Sequence, residues 1–193
     1  MINHKYKFIF IHFPSTGGTS IEDALSDGLE KFTMSSFEYP ANSGKFYEAF
    51  AEKHLSPKIS KKIYANYWDE YFKFTFIRNP FEWLFSLWSK GGRRRNNLSF
   101  EKWILNPTLA PHENQSILKL ESQLQEMNFI GRFENLQKDF DTICDTIKVQ
   151  KKTLPHLCKF TKQDHRLFYN KRSQKNVEDL FSKYMEYFDY SFD

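Results

Sequence analysis

The stretch that most constrains the fold is FIFIHFPSTGGTS, which runs from residue 8 to residue 20. The chain from Lys7 to Phe13 is almost continuously apolar, which predicts a parallel strand covered on both faces. A loop of small residues with Gly17 and Gly18 follows, and the residues after it predict a helix. A buried strand that turns through glycines into a helix is typical of α/β folds.

The helix after this loop carries its own start signals. Thr19 and Ser20 can cap it, and Glu22 and Asp23 are spaced to complete a capping box. We therefore expect the helix to begin after the two hydroxyl residues.

Strands and helices alternate along the rest of the chain. Phe72 to Ile77 predicts a second strand, and the sequence from Asn79 to about Lys90 predicts a helix with Pro80 in its first turn, where proline is tolerated. Asn128 to Phe133 predicts a third strand. This alternation predicts a three-layer α/β domain with a mainly parallel central sheet flanked by helices. Other predicted segments are helices at 46–54, 56–66, 99–105, 136–147 and 177–188, a loop from about 32 to 44, and an exposed loop at 91–97.

Length and charge limit the class of protein. A chain of 193 residues suits a single domain, residues 1–193. A net charge of +4 permits anionic ligands but is too small to indicate a nucleic-acid partner.

Cys144 and Cys158 match no metal or redox spacing, so we interpret them as free thiols and expect no metal. The sequence has no apolar leader and no 18-residue apolar run, which favours a cytoplasmic protein without a membrane span.

The glycine loop is a candidate anion site. The two glycines allow close approach of the backbone, and the amides of residues 18–20 are expected to be unpaired donors at the positive end of the helix dipole. The hydroxyls of Thr16, Thr19 and Ser20 would add donors. The loop lacks G-x-x-x-x-G-K-[ST], which argues against ATP or GTP hydrolysis. The alternative is a glycine turn without a ligand.

A second candidate element follows the second strand. Arg78 ends that strand, and Ser86 stands eight residues later on the next helix. The planar guanidinium of arginine suits bidentate contact with a phosphate, and the serine hydroxyl could bind the same group. The alternative is an arginine in a salt bridge and a buried serine on an apolar helix.

Together these elements resemble the signature of sulfotransferases that use 3′-phosphoadenosine-5′-phosphosulfate (PAPS), in the carbohydrate-type, sulfotransferase family 2-like branch. The resemblance covers nearly the whole chain. Its motifs are Pro14-Ser15-Thr16-Gly17-Gly18-Thr19-Ser20, Arg78-Asn79-Pro80 through Ser86, and the segments KHLSPKI, WDEYFKFTFIRNP, SFEKWI, FIGRFENLQKDF and VEDLFSKYMEYFDYSF, in the order of that branch.

The resemblance implies a P-loop-like sulfotransferase fold that moves a sulfuryl group from PAPS to an acceptor hydroxyl on a carbohydrate, without a metal, and releases the product PAP. It implies that residues 14–20 bind the 5′-phosphosulfate and that Arg78 and Ser86 bind the 3′-phosphate. His54, in EKHLSP, matches the histidine that this branch uses as a base; the alternative is a polar histidine at a helix end. Glu22 is a second candidate base, and His12 is interpreted as structural.

Two positions depart from the family pattern. Ser15 stands where members usually have a lysine that stabilises the departing phosphate, and loss of one such donor typically lowers the rate by roughly 10²–10³. Trp83 stands where related sequences often have arginine. The enzyme is then slow, or another cation such as Lys90 or the 93–95 arginines enters the site, or the domain binds nucleotide without turnover.

Three alternatives belong to other classes of protein. A non-catalytic PAP- or PAPS-binding module is motivated by Ser15. A nucleic-acid binder is motivated by the arginine triplet at 93–95, which would also suit an anionic saccharide. A P-loop kinase would share the fold, although the Gly-Lys pair is missing. The identity of the acceptor and the oligomeric state stay open.

Overall fold

A four-stranded sheet organises the first part of the chain. The computed structural model describes residues 1–25, 54–92, 97–106, 124–155 and 163–192. In chain order its elements are β1 (Ile2–Asn3), β2 (Phe8–Ile11), α1 (Gly18–Leu25), α2 (Pro57–Ile63), α3 (Ala65–Trp68), β3 (Phe72–Ile77), α4 (Pro80–Leu87), a π-helical turn (Trp88–Gly92), α5 (Phe100–Ile104), β4 (Phe129–Arg132), a 3₁₀ turn (Phe133–Asn135), α6 (Leu136–Ile147), a second 3₁₀ turn (His165–Phe168) and α7 (Lys171–Phe188).

The strand order is β1-β2-β3-β4, with β2, β3 and β4 parallel and β1 antiparallel to β2. Ile11 is in register with Thr75, and Ile77 with Arg132. The predicted mixed α/β fold with a mostly parallel sheet flanked by helices is confirmed. The two-residue strand β1 was not predicted, because so short a segment has no readable periodicity.

The core of the sheet is built mainly from phenylalanine. Phe8 and Phe10 of β2 pack beside Phe74 and Phe76 of β3, and all four side chains are buried. Residues of α1 and α6 also belong to this cluster: Ile21, Ala24, Leu25, Phe140, Ile143, Cys144 and Ile147. Cys144 is fully buried, and its burial raises the pKa of the thiol to about 11.

Helix α1 begins one residue earlier than the predicted cap. Gly17 has φ +84, and its carbonyl accepts the first helical hydrogen bonds, from Ser20 at 3.0 Å and from Ile21 at 3.3 Å. Gly17 therefore occupies the cap position, where the carbonyl already accepts a helical bond. The predicted cap at Thr19 and Ser20 is wrong, because both residues lie in the first helical turn.

The predicted helix at 56–66 is present as α2 and α3, which are separated at Tyr64. Ser56 caps α2 by accepting a hydrogen bond from the amide of Ile59 at 3.4 Å, and Pro57 follows in the first turn. The helix predicted at 46–54 and the loop predicted from 32 to 44 fall outside the described residues, except that His54 lies in a turn.

The contacts divide the chain into two compact units. One contains Met1–Ile77 and Glu126–Leu157, with the sheet, α1, α2, α3 and α6. The other contains Arg78–Gln125 and Cys158–Asp193, with α4, the π-helical turn, α5 and α7. The single domain expected from the sequence remains a prediction.

The second unit is rich in packed aromatic rings. The Trp88 indole donates to the carbonyl of Leu98 at 3.1 Å and packs against Phe85 and Phe100, with ring centroids 5.7 and 5.5 Å away. These contacts hold the end of α4, and the helical path continues as a π turn through Gly92. The loop predicted at 91–97 is therefore wrong at Gly91 and Gly92, which belong to the π-helical turn. Residues 93–96 lie outside the described part.

None of the helices within the described residues is long and apolar enough to cross a membrane.

Candidate functional site

The glycine loop leaves β2 through a turn that is held from within. Ser15 has φ +63, in the left-handed region. The buried Thr16 hydroxyl donates to the carbonyl of Phe13 at 2.8 Å. The Thr16 proton therefore stabilises the loop itself, and this side chain can only accept a further hydrogen bond.

The backbone donors of the loop are fewer than predicted. The Ser20 amide donates to the Gly17 carbonyl at 3.0 Å, so it is not an unpaired donor. Within the described residues, the amides of Gly18 and Thr19 have no protein acceptor. The Thr19 side chain is exposed, whereas Ser20 is buried. Two adjacent amides and an exposed hydroxyl thus remain as donors at the start of α1.

Close packing requires a glycine at position 18. A Cβ built on Gly18 would lie 2.1 Å from Cδ2 and 2.2 Å from Nε2 of His12. The imidazole therefore occupies the space that any other residue would need. A Cβ on Gly17 would meet Cδ2 of Leu136 at 2.8 Å, in addition to the cost of its positive φ.

His12 is tied to Glu22 on α1. Its Nδ1–H donates to Oε1 of Glu22 at 2.8 Å, and the two side chains are 3% and 19% exposed. The ring also stacks on Phe10, with centroids 5.6 Å apart. This agrees with the structural interpretation of His12, and it shows that Glu22 binds His12 where a capping-box role was predicted.

His54 lies beside His12. Its Nδ1 is 3.0 Å from the His12 carbonyl oxygen, and the two rings meet edge to face with centroids 4.5 Å apart. A carbonyl oxygen only accepts hydrogen bonds, so Nδ1 of His54 carries the proton. In the neutral ring Nε2 then has the lone pair, which is the state that a general base requires.

Arg78 stands in the second unit, directly before the cap of α4. Its Nε and Nη2 donate to Oε2 of Glu82 at 3.3 and 3.1 Å, and its side chain is 16% exposed. Its carbonyl accepts a hydrogen bond from the Tyr184 hydroxyl at 3.1 Å. The salt bridge considered as an alternative for Arg78 is therefore present. Ser86 lies on the same helix and is half-buried.

His165 adjoins this ion pair, and sequence reasoning gave it no role. Its Nδ1 is 3.9 Å from Oε1 of Glu82, and within the described residues its buried Nε2 has no hydrogen-bond partner. Burial lowers the pKa of His165 although Glu82 and Asp164 favour the charged form. Hydrogen bonds from Arg166 lower the pKa of Asp164 to about 2. The capping aspartate before a 3₁₀ turn was the available sequence signal.

The predicted site residues fall into two groups. Residues 14–20 and His54 belong to the first unit, and Arg78 and Ser86 belong to the second. That the two groups bind one ligand remains a prediction.

Lys90, a candidate substitute cation, is half-buried in the π-helical turn, and the arginines at 93–95 lie outside the described residues. Trp83 is buried, with its ring centroid 6.1 Å from that of Phe181.

Metal ligands do not converge in the parts of the chain that the structure describes: no group of three or more His, Cys, Asp or Glu side chains is placed to hold an ion there. The expectation that no metal takes part stays a prediction.

Comparison with known proteins identifies the class. The sequence profile described as "Sulfotransferase family" matches residues 1–191, so the chain belongs to the sulfotransferase family. Sulfuryl transfer to a small-molecule acceptor is the general activity of such enzymes. The family predicted from the two motifs is thereby confirmed.

Among solved structures, the chain is similar to a sulfotransferase from Alicyclobacillus acidocaldarius. The sequence identity is 16% and the TM-score is 0.47, over 91% of this chain and 95% of that chain. No curated protein matches the chain in sequence.

Proposed function

We propose that the protein transfers the sulfuryl group of PAPS to a hydroxyl group of a carbohydrate. The observation that carries this proposal is the start of α1, where the adjacent amides of Gly18 and Thr19 have no protein acceptor within the described residues. Such amides, at the positive end of a helix dipole, favour a phosphate or sulfate group. Membership of the sulfotransferase family supports a sulfated donor.

In this proposal residues 14–20 bind the 5′-phosphosulfate, and Arg78 and Ser86 bind the 3′-phosphate. Two observations support the assignment. Ile11 and Ile77 end neighbouring parallel strands at the same edge of the sheet, which is where ligands of such sheets bind. The Arg78 guanidinium lies at the start of the segment that follows β3, where it donates to Oε2 of Glu82, and its planar shape suits a phosphate.

The proposed chemistry uses His54 as the general base. The acceptor oxygen attacks sulfur as the bond between sulfur and the 5′-phosphate oxygen breaks, and PAP leaves with the electron pair. The hydroxyl proton passes to Nε2 of His54. The hydrogen bond from Nδ1 of His54 to the His12 carbonyl supports this role, because it leaves the basic lone pair on Nε2.

The nucleotide assignment is tested by Arg78→Ala. We expect this variant to bind PAP about tenfold to a hundredfold more weakly, since a hydrogen bond to a charged group contributes about 1.5–3 kcal/mol. Binding of adenosine 5′-phosphosulfate, which has no 3′-phosphate, should change less. Calorimetry with both ligands measures the difference. Arg172→Ala, which removes an exposed arginine from α7, is the matched control. Equal losses for the two ligands would show that Arg78 does not read the 3′-phosphate.

Turnover is tested with PAPS and a panel of neutral and anionic saccharides. We expect wild-type protein to form a sulfated product and His54→Asn to bind PAP normally while forming at least about a hundredfold less product. Binding of PAP with no transfer to any saccharide would favour the alternative of a non-catalytic PAP- or PAPS-binding module, which the serine at position 15 motivates.

A further inference from the structure

A buried pair lies directly behind the glycine loop. His12 donates from Nδ1 to Glu22, and the Nε2 edge of the same ring faces Gly18, whose built Cβ would lie 2.2 Å from that nitrogen. One imidazole therefore joins a carboxylate on one side to the predicted anion-binding turn on the other. The reaction proposed above gives this pair no task.

The groups around His12 favour a different protonation state of its ring when the loop holds an anion than when the loop is empty. Burial and the positive end of α1 disfavour an imidazolium at this place, whereas the Glu22 carboxylate favours it. His54, which faces the ring from the segment before α2, adds no charge while it is neutral. A phosphosulfate at Gly18 would add negative charge beside Nε2 and shift this balance toward the protonated form.

The loop also lacks a cation where one is expected. Ser15 stands where the resemblance implies a lysine, and Ser15 itself carries no charge. Any positive charge at the bound phosphosulfate must then come from another group. In the described part of the first unit, the ring nitrogen that packs against the loop is Nε2 of His12.

We propose that His12 is protonated when the glycine loop binds its anionic ligand, and that this imidazolium, held by Glu22, supplies the positive charge that Ser15 does not. This inference rests on the proposed function, since it requires the loop to bind the 5′-phosphosulfate end of the nucleotide. Ligand binding is then accompanied by proton uptake from solvent, which is largest at a pH between the His12 midpoints without and with ligand. His12 is a positioning residue, because its ring contacts Gly18 and acts on the ligand through the loop.

The test is a nuclear magnetic resonance titration of the full chain with ¹³C-labelled histidine rings. The pH is varied without ligand and with saturating PAP, and the midpoint of His12 is read from its ring carbon signal. We expect PAP to raise this midpoint by about one pH unit, which corresponds to about tenfold tighter binding to the protonated form. Inorganic sulfate, which stays ionised across the titration, is the second probe and should raise the midpoint as well.

Two carboxylate variants separate the role of Glu22 from general charge. Glu22→Gln removes the partner of His12, and we expect it to lower the His12 midpoint and to weaken PAP binding several-fold. Asp23→Asn removes an exposed carboxylate from the next position of α1 and should change neither quantity. Adding Ser15→Lys to Glu22→Gln should recover PAP affinity, because the lysine then supplies the charge.

The outcomes are distinguishable. Failure of PAP to bind wild-type protein would contradict the proposed function and this inference with it. Normal PAP binding with an unchanged His12 midpoint would overturn this inference alone. Equal weakening by Glu22→Gln and Asp23→Asn would also overturn it. If Glu22→Gln does not fold, the wild-type titration still decides the question.

Discussion

At the scale of single residues, Ser15 is the position where the loop departs from the lysine that the family resemblance implies. Its φ of +63 lies in the left-handed region, which costs any residue other than glycine, asparagine or aspartate a similar strain. Replacing this serine by lysine therefore changes the side chain without adding a new backbone penalty. The position can be tested for chemistry independently of folding.

We expect Ser15→Lys to raise the turnover of sulfuryl transfer, by up to roughly 10²–10³, because a preorganised donor would stabilise the departing phosphate. The affinity for PAP should change little. Steady-state kinetics with PAPS measures the first quantity, and calorimetry with PAP measures the second. An unchanged or lower turnover with intact PAP affinity would mean that the serine does not mark a lost catalytic cation.

Gly18→Ala should destabilise the protein by about 1–3 kcal/mol, the usual cost of overpacking. The added methyl group would meet the ring of His12 at 2.1 Å, and that ring is held by Glu22. Chemical denaturation measures the loss in free energy of unfolding. Ser20→Ala, at a buried position two residues further on, adds no atoms and serves as the control. Equal stability of Gly18→Ala and wild type would show that the ring moves aside freely.

The sequence located the loop and its glycines but not their contacts. The position of Gly17 and Gly18 followed from the apolar strand before them. The start of α1 did not, because it depends on the positive φ of Gly17. The contact of His12 with Gly18 and Glu22 could not be read from spacing either, since it is set by how strand and helix pack.

At the scale of elements, helix α4 shows how local signals fix a boundary. Asn79 accepts a hydrogen bond from the amide of Phe81 at 3.0 Å, and its Nδ2 donates to the carbonyl of Ser191 at 2.7 Å. Pro80 follows in the first turn. The Asn-Pro pair therefore predicted the start of α4 correctly. The predicted end at about Lys90 was wrong for α4, which ends at Leu87. The chain continues there as a π-helical turn, which depends on the packing of Trp88 and could not be read from the sequence.

Asn79→Ala should lower the free energy of unfolding by about 1 kcal/mol, the usual cost of losing an amino-terminal cap. Thermal or urea denaturation is the measurement. The matched control is Asn66→Ala, at an exposed position of α3, which should stay within about 0.5 kcal/mol of wild type. A loss no larger than that of the control would mean that the cap contributes nothing.

The same scale explains which elements were predicted. β2, β3 and β4 were found because apolar runs mark buried strands. α6 and α7 were found because their buried residues recur at helical spacing: Phe140, Ile143, Ile147, Val177, Phe181, Tyr184 and Phe188. β1 was missed because its two residues depend on pairing with β2.

At the scale of the whole molecule, neither compact unit is a continuous stretch of chain. The chain passes from one unit to the other after Ile77, Gln125 and Leu157. Unfolding one unit therefore loosens the ends of segments in the other. This connectivity favours a single cooperative domain, as the sequence predicts.

We therefore expect one unfolding transition in urea. Trp68 reports on the first unit, and Trp83, Trp88 and Trp103 report on the second. In wild type and in Trp68→Phe, the midpoints from tryptophan fluorescence and from far-ultraviolet circular dichroism should coincide within each variant. Trp68→Phe should be less stable, because its indole donates to Glu126 at 2.7 Å. Two separate midpoints would instead define two domains.

The burial of Cys144 offers a way to observe rare excursions of the folded state. With a pKa of about 11 and no solvent exposure, this thiol is protected from alkylating reagents while α6 covers the sheet. In a Cys158→Ser variant, the rate at which Cys144 is alkylated would measure how often α6 detaches from the sheet. Cys144 can therefore show whether the proposed nucleotide ligand, when bound, lowers the frequency of local opening in the core.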